Sequence, residues 1–305
     1  MYTYPTIPVS GDQLTAEQIH RLMQSPALVA RRLADILSQK FIADYLLAGR
    51  YVATGGGVMY PTGEPIFAAD DPEAIAAGGE YPMTVMTGGE LAAAKVTKWG
   101  QDSEITDEAI ARFLMDPVNR VLAGLGNTLI RHVDSVALSV IGSKVTDTYD
   151  STATPWATGE GIVEGVLLAK ATQEDKYEDM AYDLGTVVLK PIQFAKVAAY
   201  LIKSRMLPQE NNNAVVSGVI PDVLGMTWTT SKHVPFTDPL LVDRDRLGGM
   251  ADEDIKSPGY SAQGSLEVKV MRVDDRDAYR PRARRVTVPV VMDAGAGVRI
   301  INTGL

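Results

Sequence analysis

Residues 116–142, DPVNRVLAGLGNTLIRHVDSVALSVIG, predict one unusually long helix, and no other segment restricts the fold of this chain as strongly. A helix of about 25 residues is roughly twice the usual length, and at 1.5 Å per residue it would be about 37 Å long. Its apolar residues recur every three or four positions: Val118, Val121, Leu122, Leu125, Leu129, Val133, Val136 and Val140. This spacing is typical of a helix with one buried side. Gly124 and Gly126 each lower helix propensity by about 1 kcal/mol relative to alanine. Their presence in the rod despite this cost suggests close packing against another backbone.

The segment from Arg50 to Gly100 is rich in glycine and proline and poor in large apolar side chains. Short strand-like pieces occur at Val58–Tyr60, Ile66–Ala68, Met83–Met86 and Leu91–Trp99. An unstructured loop of this length is unusual inside a compact domain, so the segment is better interpreted as a long hairpin-like arm. Because such an arm cannot form a core of its own, we expect it to lie on a partner.

Helix-start signals predict three further helices before the rod. The motif TAEQ at 15–18 has the capping-box pattern and begins a short helix. The pair Ser25-Pro26 opens a second helix that we expect to reach about residue 48. Thr106 caps a third helix, with acidic residues in its first turn, where the helix dipole favours them.

After the rod, helical and strand-like patterns alternate, which indicates an α+β fold. A Thr/Ser/Gly-rich connection covers residues 143–160, and helices are predicted at 161–171 and from Pro191 to about Arg205. Strands are predicted in GTVVLK (185–190), AVVSGVIP (214–221), MTWTTS (226–231), LEVKVMRV (266–273) and RRVTVPVV (284–291). The segment DRDRLGGMADEDIKSPG, at 243–259, is predicted to be a loop.

Composition excludes several classes of function. The 305 residues suffice for one elaborated domain or two. The net charge of −9 argues against tight DNA or RNA binding, because there is no basic excess to neutralise phosphates. The lack of cysteine excludes disulfides, zinc–thiolate sites and cysteine nucleophiles. We find no secretory signal and no stretch of about 18 apolar residues, so we expect a soluble protein without a membrane partner.

A search for catalytic or metal-binding patterns gives no candidate residue. The three histidines, His20, His132 and His233, do not lie at metal-ligand spacing, and His132 is expected on the exposed surface of the rod. The glycines at 55–57 lack the Lys-Ser/Thr of a phosphate-binding loop, and no GxSxG motif of hydrolases occurs. We therefore predict no catalytic, cofactor-binding or metal-binding residue and no cofactor.

Four acidic clusters could in principle bind calcium or act in acid–base chemistry: Asp70-Asp71, DRDR at 243–246, DEDIK at 252–256 and DDRD at 274–277. None has the alternating ligands and glycine of an EF-hand loop. Because charges of both signs are mixed in most of them, solvated faces or salt bridges with neighbours are the better interpretation.

Several short motifs follow one another along the chain: KWGQDSEITDE (98–108), LGNTLI…VD (125–134), LKPIQFAKVAAYL (189–201), SGVIPDVLGMTWTTSKHVP (217–235) and AYRPRARRVTV (278–288). No single motif is highly specific, but their order and spacing are. Together with the arm and the rod, they resemble the major capsid proteins of tailed double-stranded DNA bacteriophages, which share the Hong Kong 97-type fold.

This resemblance implies a division of the chain into an N-arm (1–49), an extended loop or E-loop (50–100), a peripheral domain (101–150 and 266–305) and an axial domain (151–265). It implies a structural protein, not an enzyme, that forms pentamers and hexamers in an icosahedral head around phage DNA. The subunits would assemble in the host bacterial cytoplasm and remain in the virion. Separate scaffold, portal and decoration proteins are the further partners implied, with only weak, non-specific DNA contact.

The chain departs from the family in two ways. Some members cross-link subunits through an E-loop lysine, but no lysine occurs between Arg50 and Ala94, and Lys95 is near the base of the arm. We therefore expect non-covalent stabilisation. Only about 49 residues precede the arm, so we expect a separate scaffold protein, or none, instead of a fused scaffold of roughly a hundred residues.

The sequence leaves two alternatives to a capsid protein open. An encapsulin, a cellular nanocompartment with the same fold, would enclose a cargo enzyme instead of DNA. A metal-independent hydrolase or lyase would remain monomeric and turn over a substrate.

Overall fold

The computed structural model describes residues 14–36, 41–63, 74–75, 83, 89–204 and 225–305. Its helices are α1 (Ala16–Met23), α2 (Pro26–Ile36), α3 (Ile42–Leu46), α4 (Asp107–Phe113), α5 (Met115–Lys144), α6 (Gly159–Lys176), α7 (Pro191–Lys203) and α8 (Arg244–Leu247). Its strands are β1 (Gly49–Val52), β2 (Gly57–Thr62), β3 (Glu90–Lys95), β4 (Thr97–Asp102), β5 (Ile105–Thr106), β6 (Thr148–Asp150), β7 (Thr186–Leu189), β8 (Thr227–Thr230), β9 (Leu240–Val242), β10 (Gly248–Asp252), β11 (Ser261–Gln263), β12 (Leu266–Val273), β13 (Ala278–Val291) and β14 (Gly297–Ile301). Within these described ranges, no helix is both long enough and apolar enough to span a bilayer.

The rod predicted at 116–142 is confirmed as α5, whose 30 residues give a length of about 45 Å. Its buried side is formed by Val118, Leu122, Leu125, Gly126, Leu129, Ile130, Val133, Asp134, Ala137, Leu138 and Ile141. Leu114 separates the rod from α4, because its φ of +52° interrupts the helical path. This backbone conformation is unfavourable for leucine, and the packing of Leu114 against the main core helps to hold it.

The rod packs along β13, the 14-residue strand at the centre of the larger sheet. The strand order of this first sheet is β1-β10-β13-β12-β11. One edge of β13 bonds β12 over 278–284 and β10 over 287–291, and its other edge bonds β5 and β4. A single long strand therefore joins segments from both halves of the chain.

The second sheet has the order β6-β14-β9-β7-β8. Helices α6 and α7 pack side by side on one of its faces, around a separate hydrophobic cluster that contains Trp156, Val166, Val187 and Val197. The opposite face, with Val188, belongs to the main core that also contains the rod. The two sheets thus share one continuous core.

Two strands pair across the domain boundary expected at 265/266. Strand β10, within 151–265, pairs with β13 of the first sheet, and β14, within 266–305, pairs with β9 of the second. These pairings join residues that are about 35 to 60 positions apart in the sequence.

Two local predictions were wrong. The segment 26–48 does not form one helix, because the backbone of Phe41 is extended and a separate helix, α3, begins at Ile42. The predicted loop at 243–259 contains α8 and β10. Other expected helices and strands are confirmed with shifts at their ends, but the strands expected at 66–68 and 214–221, and at 83–86 except for Met83, lie outside the described residues.

The start of β10 depends on glycine. Gly248 has φ +149°, and a Cβ atom there would lie 2.1 Å from the carbonyl oxygen of Val290. A Cβ on Gly49, at the start of β1, would lie 2.9 Å from the carbonyl oxygen of Gly248. The close approach of β1, β10 and β13 therefore requires glycine at these two positions.

Candidate assembly surfaces

The arm predicted from the sequence is an antiparallel hairpin of β2 and β3, and among the described strands these two form a sheet of their own. One face of the hairpin, with Val58, Tyr60 and Ala94, packs on a small apolar cluster of the first sheet. That cluster consists of Ala53, Val96, Ala251, Val286 and Val290. The described residues therefore cover only one side of the hairpin.

The outer face of the hairpin is apolar and exposed. In the register, Met59 lies opposite Ala93 and Pro61 lies opposite Leu91, so these four side chains share a face. Met59 is 71% exposed and Leu91 is 74% exposed. A two-stranded hairpin has little stability in water unless its faces are covered, so this outer face is the strongest candidate for contact with another molecule.

Two hydrogen bonds fix the hairpin relative to the rest of the subunit. The N–H of Gly56 donates to Glu253 Oε1 at 3.2 Å, and the N–H of Gly63 donates to Asp293 Oδ1 at 3.1 Å. The first bond lies before β2 and the second lies just after it. The exposed face is therefore presented in a defined direction.

A buried arginine attaches the N-terminal segment to the first sheet. The side chain of Arg285, on β13, is fully buried and donates to both Asp44 and Asp252, with a shortest distance of 2.7 Å to Asp44 Oδ1. Its guanidinium also stacks over the ring of Phe41 at 4.5 Å. Burial lowers the pKa of Arg285, but the hydrogen bonds to the two carboxylates outweigh burial and raise it, so the arginine remains charged.

The rod caps a neighbouring helix through Asp134. Phe41 precedes α3 and offers no side-chain cap, and Asp134 Oδ1 accepts the N–H of Ala43 at 3.0 Å instead. Only 1% of Asp134 is exposed. Burial raises the pKa of Asp134 and outweighs the N–H groups of Ala43 and Ile42, which lower it. In the sequence, Asp134 is recognisable only as a residue of the rod.

The three histidines lie on different elements. His132 is exposed on the rod, as predicted, and makes an edge contact with Trp99 at a ring-centroid distance of 4.4 Å. His20 Nδ1 lies 3.2 Å from the hydroxyl oxygen of Tyr279. The backbone N–H of His233, in a loop, donates to Ser231 Oγ. The described residues contain no group of three or more His, Cys, Asp or Glu placed to hold a metal ion.

The cleft around His20 has a volume of about 500 Å³ and is also lined by Asp107, Arg272, Asp274 and Tyr279. Arg272 donates two hydrogen bonds of 2.7 Å to Asp107 and also pairs with Asp274. The hydrogen bonds from Arg272 hold the pKa of Asp107 below its ordinary value. The charged side chains that line the cleft are therefore paired with one another. Because the Arg272–Asp107 pair connects β12 to α4, we interpret the cleft as structural.

Most of the acidic clusters are salt-bridged or hydrogen-bonded within the subunit. Asp243 caps α8 by accepting the N–H groups of Asp245 and Arg246. Asp252 pairs with Arg285, and the 274–277 cluster surrounds Arg272 and also places Arg276 beside Glu104. The pair Asp70-Asp71 lies outside the described residues. The mixed charges of these clusters predicted ion pairs, but some of their partners are distant in the sequence.

Comparisons with known proteins agree with this architecture. The profile of a family described as phage capsid protein matches residues 89–300, well over half of the chain. A search of curated protein sequences gave no significant match.

Solved structures with a similar fold include viral and cellular shells. The capsid structure of the cyanophage P-SCSP1u matches with a TM-score of 0.57 and 13% identity, covering 82% of this chain and 84% of that one. The capsid of Myoviridae phage XM1 gives a TM-score of 0.52 at 14% identity, with 87% and 93% covered. The holo-SrpI encapsulin complex from Synechococcus elongatus gives 0.54 at 14% identity, with 87% and 88% covered. The chain therefore belongs to the phage capsid protein family: it is a major capsid protein with the Hong Kong 97-type fold, a structural subunit that assembles with copies of itself into the shell of the virion.

Proposed function

We propose that copies of this chain form pentamers and hexamers that close into an icosahedral head around phage double-stranded DNA. The observation that carries the proposal is the outer face of the β2–β3 hairpin, which is apolar, exposed and held in a fixed direction. A neighbouring subunit placed beneath this face would cover it, and the same contact repeated head to tail would close a ring.

The two sheets support a domain division in which strands are assigned by pairing instead of by sequence order. The first sheet with the rod is the proposed peripheral domain, and the second sheet with α6 and α7 is the proposed axial domain. The N-arm is proposed to comprise residues 1–49, and the E-loop residues 50–100. In this division β10 is peripheral and β14 is axial.

The proposed shell is stabilised without covalent cross-links. No lysine occurs between Arg50 and Ala94, and Lys95 lies at the base of the hairpin, opposite Gly57. Assembly is proposed to occur in the host bacterial cytoplasm, with separate scaffold, portal and decoration proteins as further partners. The net charge of −9 suits a shell that encloses DNA without binding it tightly.

Electron microscopy of the expressed protein tests the proposal directly, with icosahedral particles expected. In the double variant Met59→Asp/Leu91→Asp, two charges would be buried at the proposed contact, so we expect a folded subunit that forms no particles. The matched control Met59→Leu/Leu91→Met keeps the face apolar, and particles should form as in the unmodified protein.

Three outcomes would count against parts of the proposal. Particles formed by the aspartate variant in normal yield would exclude the hairpin face as an essential contact. Cross-linked oligomers in denatured particles would contradict non-covalent stabilisation. A cargo enzyme in native particles, instead of DNA, would favour the encapsulin alternative. The encapsulin from Synechococcus elongatus has a fold similar to that of this chain.

A further inference from the structure

Helix α6 presents an acidic and apolar face to solvent. Leu167 and Leu168 are 45% and 42% exposed, and the opposite side of the same helix packs on the second sheet. The helical period places Glu160, Glu164 and Ala171 on the same exposed face. The α6 face therefore has an apolar centre with acidic residues towards the N-terminus of the helix.

Helix α7 presents a basic and apolar face. Ile192 is 73% exposed and Ile202 is 39% exposed. The remaining exposed residues on this side are Ala195, Lys196, Ala199 and Lys203. The α7 face thus combines apolar and small side chains with two lysines.

Among the described residues, the charges on the two faces are not neutralised. Over the described part of the chain, Glu160 and Glu164 on α6 have no hydrogen-bond or salt-bridge partner, and neither do Lys196 and Lys203 on α7. Other charged residues nearby are paired, such as Lys170 with Asp183 at 2.7 Å and Lys176 with Asp147. The unpaired carboxylates and ammonium groups lie on the same faces as Leu167, Leu168, Ile192 and Ile202, the only large apolar side chains that these two helices leave exposed among their described residues.

We propose that the α6 face of one copy docks on the α7 face of the next copy, so that the helix layer of the second sheet continues from subunit to subunit. Opposite charges then meet across the contact, and the leucines of α6 lie against the alanines of α7. Pairing α6 with α6, or α7 with α7, would bring like charges together, which is unfavourable. The contact is therefore head to tail, the type that closes into rings. The inference rests on the proposed assembly of copies and assigns it a second pair of surfaces.

Charge reversal tests the contact. Glu164→Lys and Lys196→Glu are each expected to reduce the assembled fraction about tenfold at a fixed protein concentration, because like charges would then face each other. Combining the two reversals in one chain should restore assembly to within about twofold of the unmodified protein, since opposite charges meet again. The conservative variant Lys196→Arg keeps the charge and should assemble normally. Assembly is measured by sedimentation and electron microscopy, and folding by circular dichroism.

Cross-linking tests the geometry independently, on a chain that contains no other cysteine. A chain carrying both Leu167→Cys and Ala199→Cys should give a ladder of oligomers with a short thiol-specific cross-linker. Each single variant alone should give none. Cross-linked dimers from Leu167→Cys alone would show α6 against α6 and would overturn the proposal.

The failure of this inference is distinguishable from the failure of the proposed function. If the unmodified chain forms no particles, the proposed function fails. If it forms particles but the charge reversals leave the yield unchanged, or the double cysteine variant gives no ladder in those particles, only the α6–α7 contact is wrong.

Discussion

The rod and the hairpin obtain a hydrophobic environment in different ways. The rod α5 buries eleven of its residues against the first sheet and the N-terminal helices of its own chain. The twelve strand residues of the hairpin include none that is buried. The rod therefore stabilises the subunit, whereas the hairpin can gain most of its apolar burial only in an assembly. Substitutions in these two regions, and at the buried Arg285, should therefore differ widely in their effect on the stability of the isolated subunit.

The largest effect is expected in the rod. Leu125→Asp places a charge where a side chain is 5% exposed, so the free energy of unfolding should fall by about 5 kcal/mol or more and the subunit should not fold. Thr128→Asp, on the exposed side of the same helix, should change it by about 0.5 kcal/mol or less. Circular dichroism of the soluble fraction distinguishes the two, and a folded Leu125→Asp subunit would contradict the assignment of the core.

Removing the buried arginine should have the next largest effect. Arg285→Ala leaves Asp44 and Asp252 without their common partner, and the expected loss is about 3–5 kcal/mol. Arg282→Ala removes a partly exposed pair with Asp102 and should cost about 1 kcal/mol or less. Urea unfolding of unassembled subunits measures both losses in the free energy of unfolding. Equal losses would show that burial does not make the Arg285 ion pairs more important for stability than the partly exposed Arg282 pair.

A smaller effect is expected at the cap that the rod provides for α3. Asp134→Ala removes the acceptor for the Ala43 N–H and should cost about 1–2 kcal/mol. Asp134→Asn keeps an oxygen acceptor without a buried charge, so it should be the more stable of the two variants.

The pH dependence of the Asp134→Asn variant supplies a further check. The pKa of Asp134 is raised above 3.8 in the folded state, so the native protein binds more protons than the unfolded chain in the range above this value. The contribution of Asp134 to stability therefore decreases as pH rises through that range. The free energy of unfolding of Asp134→Asn, relative to that of the unmodified protein, should increase between about pH 4 and about pH 7. Urea unfolding at both pH values measures this difference, and a decrease would contradict the prediction.

The smallest effect on the isolated subunit is expected in the hairpin. Met59→Ser should change the free energy of unfolding by about 0.5 kcal/mol or less, because the side chain is already 71% exposed. Particle yield should nevertheless fall, since the apolar contact with a neighbour is weakened. A large loss of subunit stability would show that the hairpin is part of the subunit core.

The predictability of each region followed the range of the interactions that form it. The rod, the capping box at Thr15 and the cap at Thr106 depend on residues within a few positions of one another, and all three were predicted correctly. The short strand β10 was missed because its partners, in β1 and β13, lie about 40 to 200 positions away. The exposed outer face of the hairpin was missed for a related reason, since it is defined only by the register of β2 and β3.

The long amphipathic helix, the core-poor arm and the order of motifs typical of the capsid fold can be recognised from the amino-acid sequence alone. The folded structure is needed to show which carboxylates contact Arg285, which helix Asp134 caps, and which faces of α6 and α7 are exposed. Helix periodicity and capping are local properties, readable from neighbouring residues. Ion pairs and exposed faces depend on segments brought together from distant parts of the chain, so they become visible only once the sheets have formed.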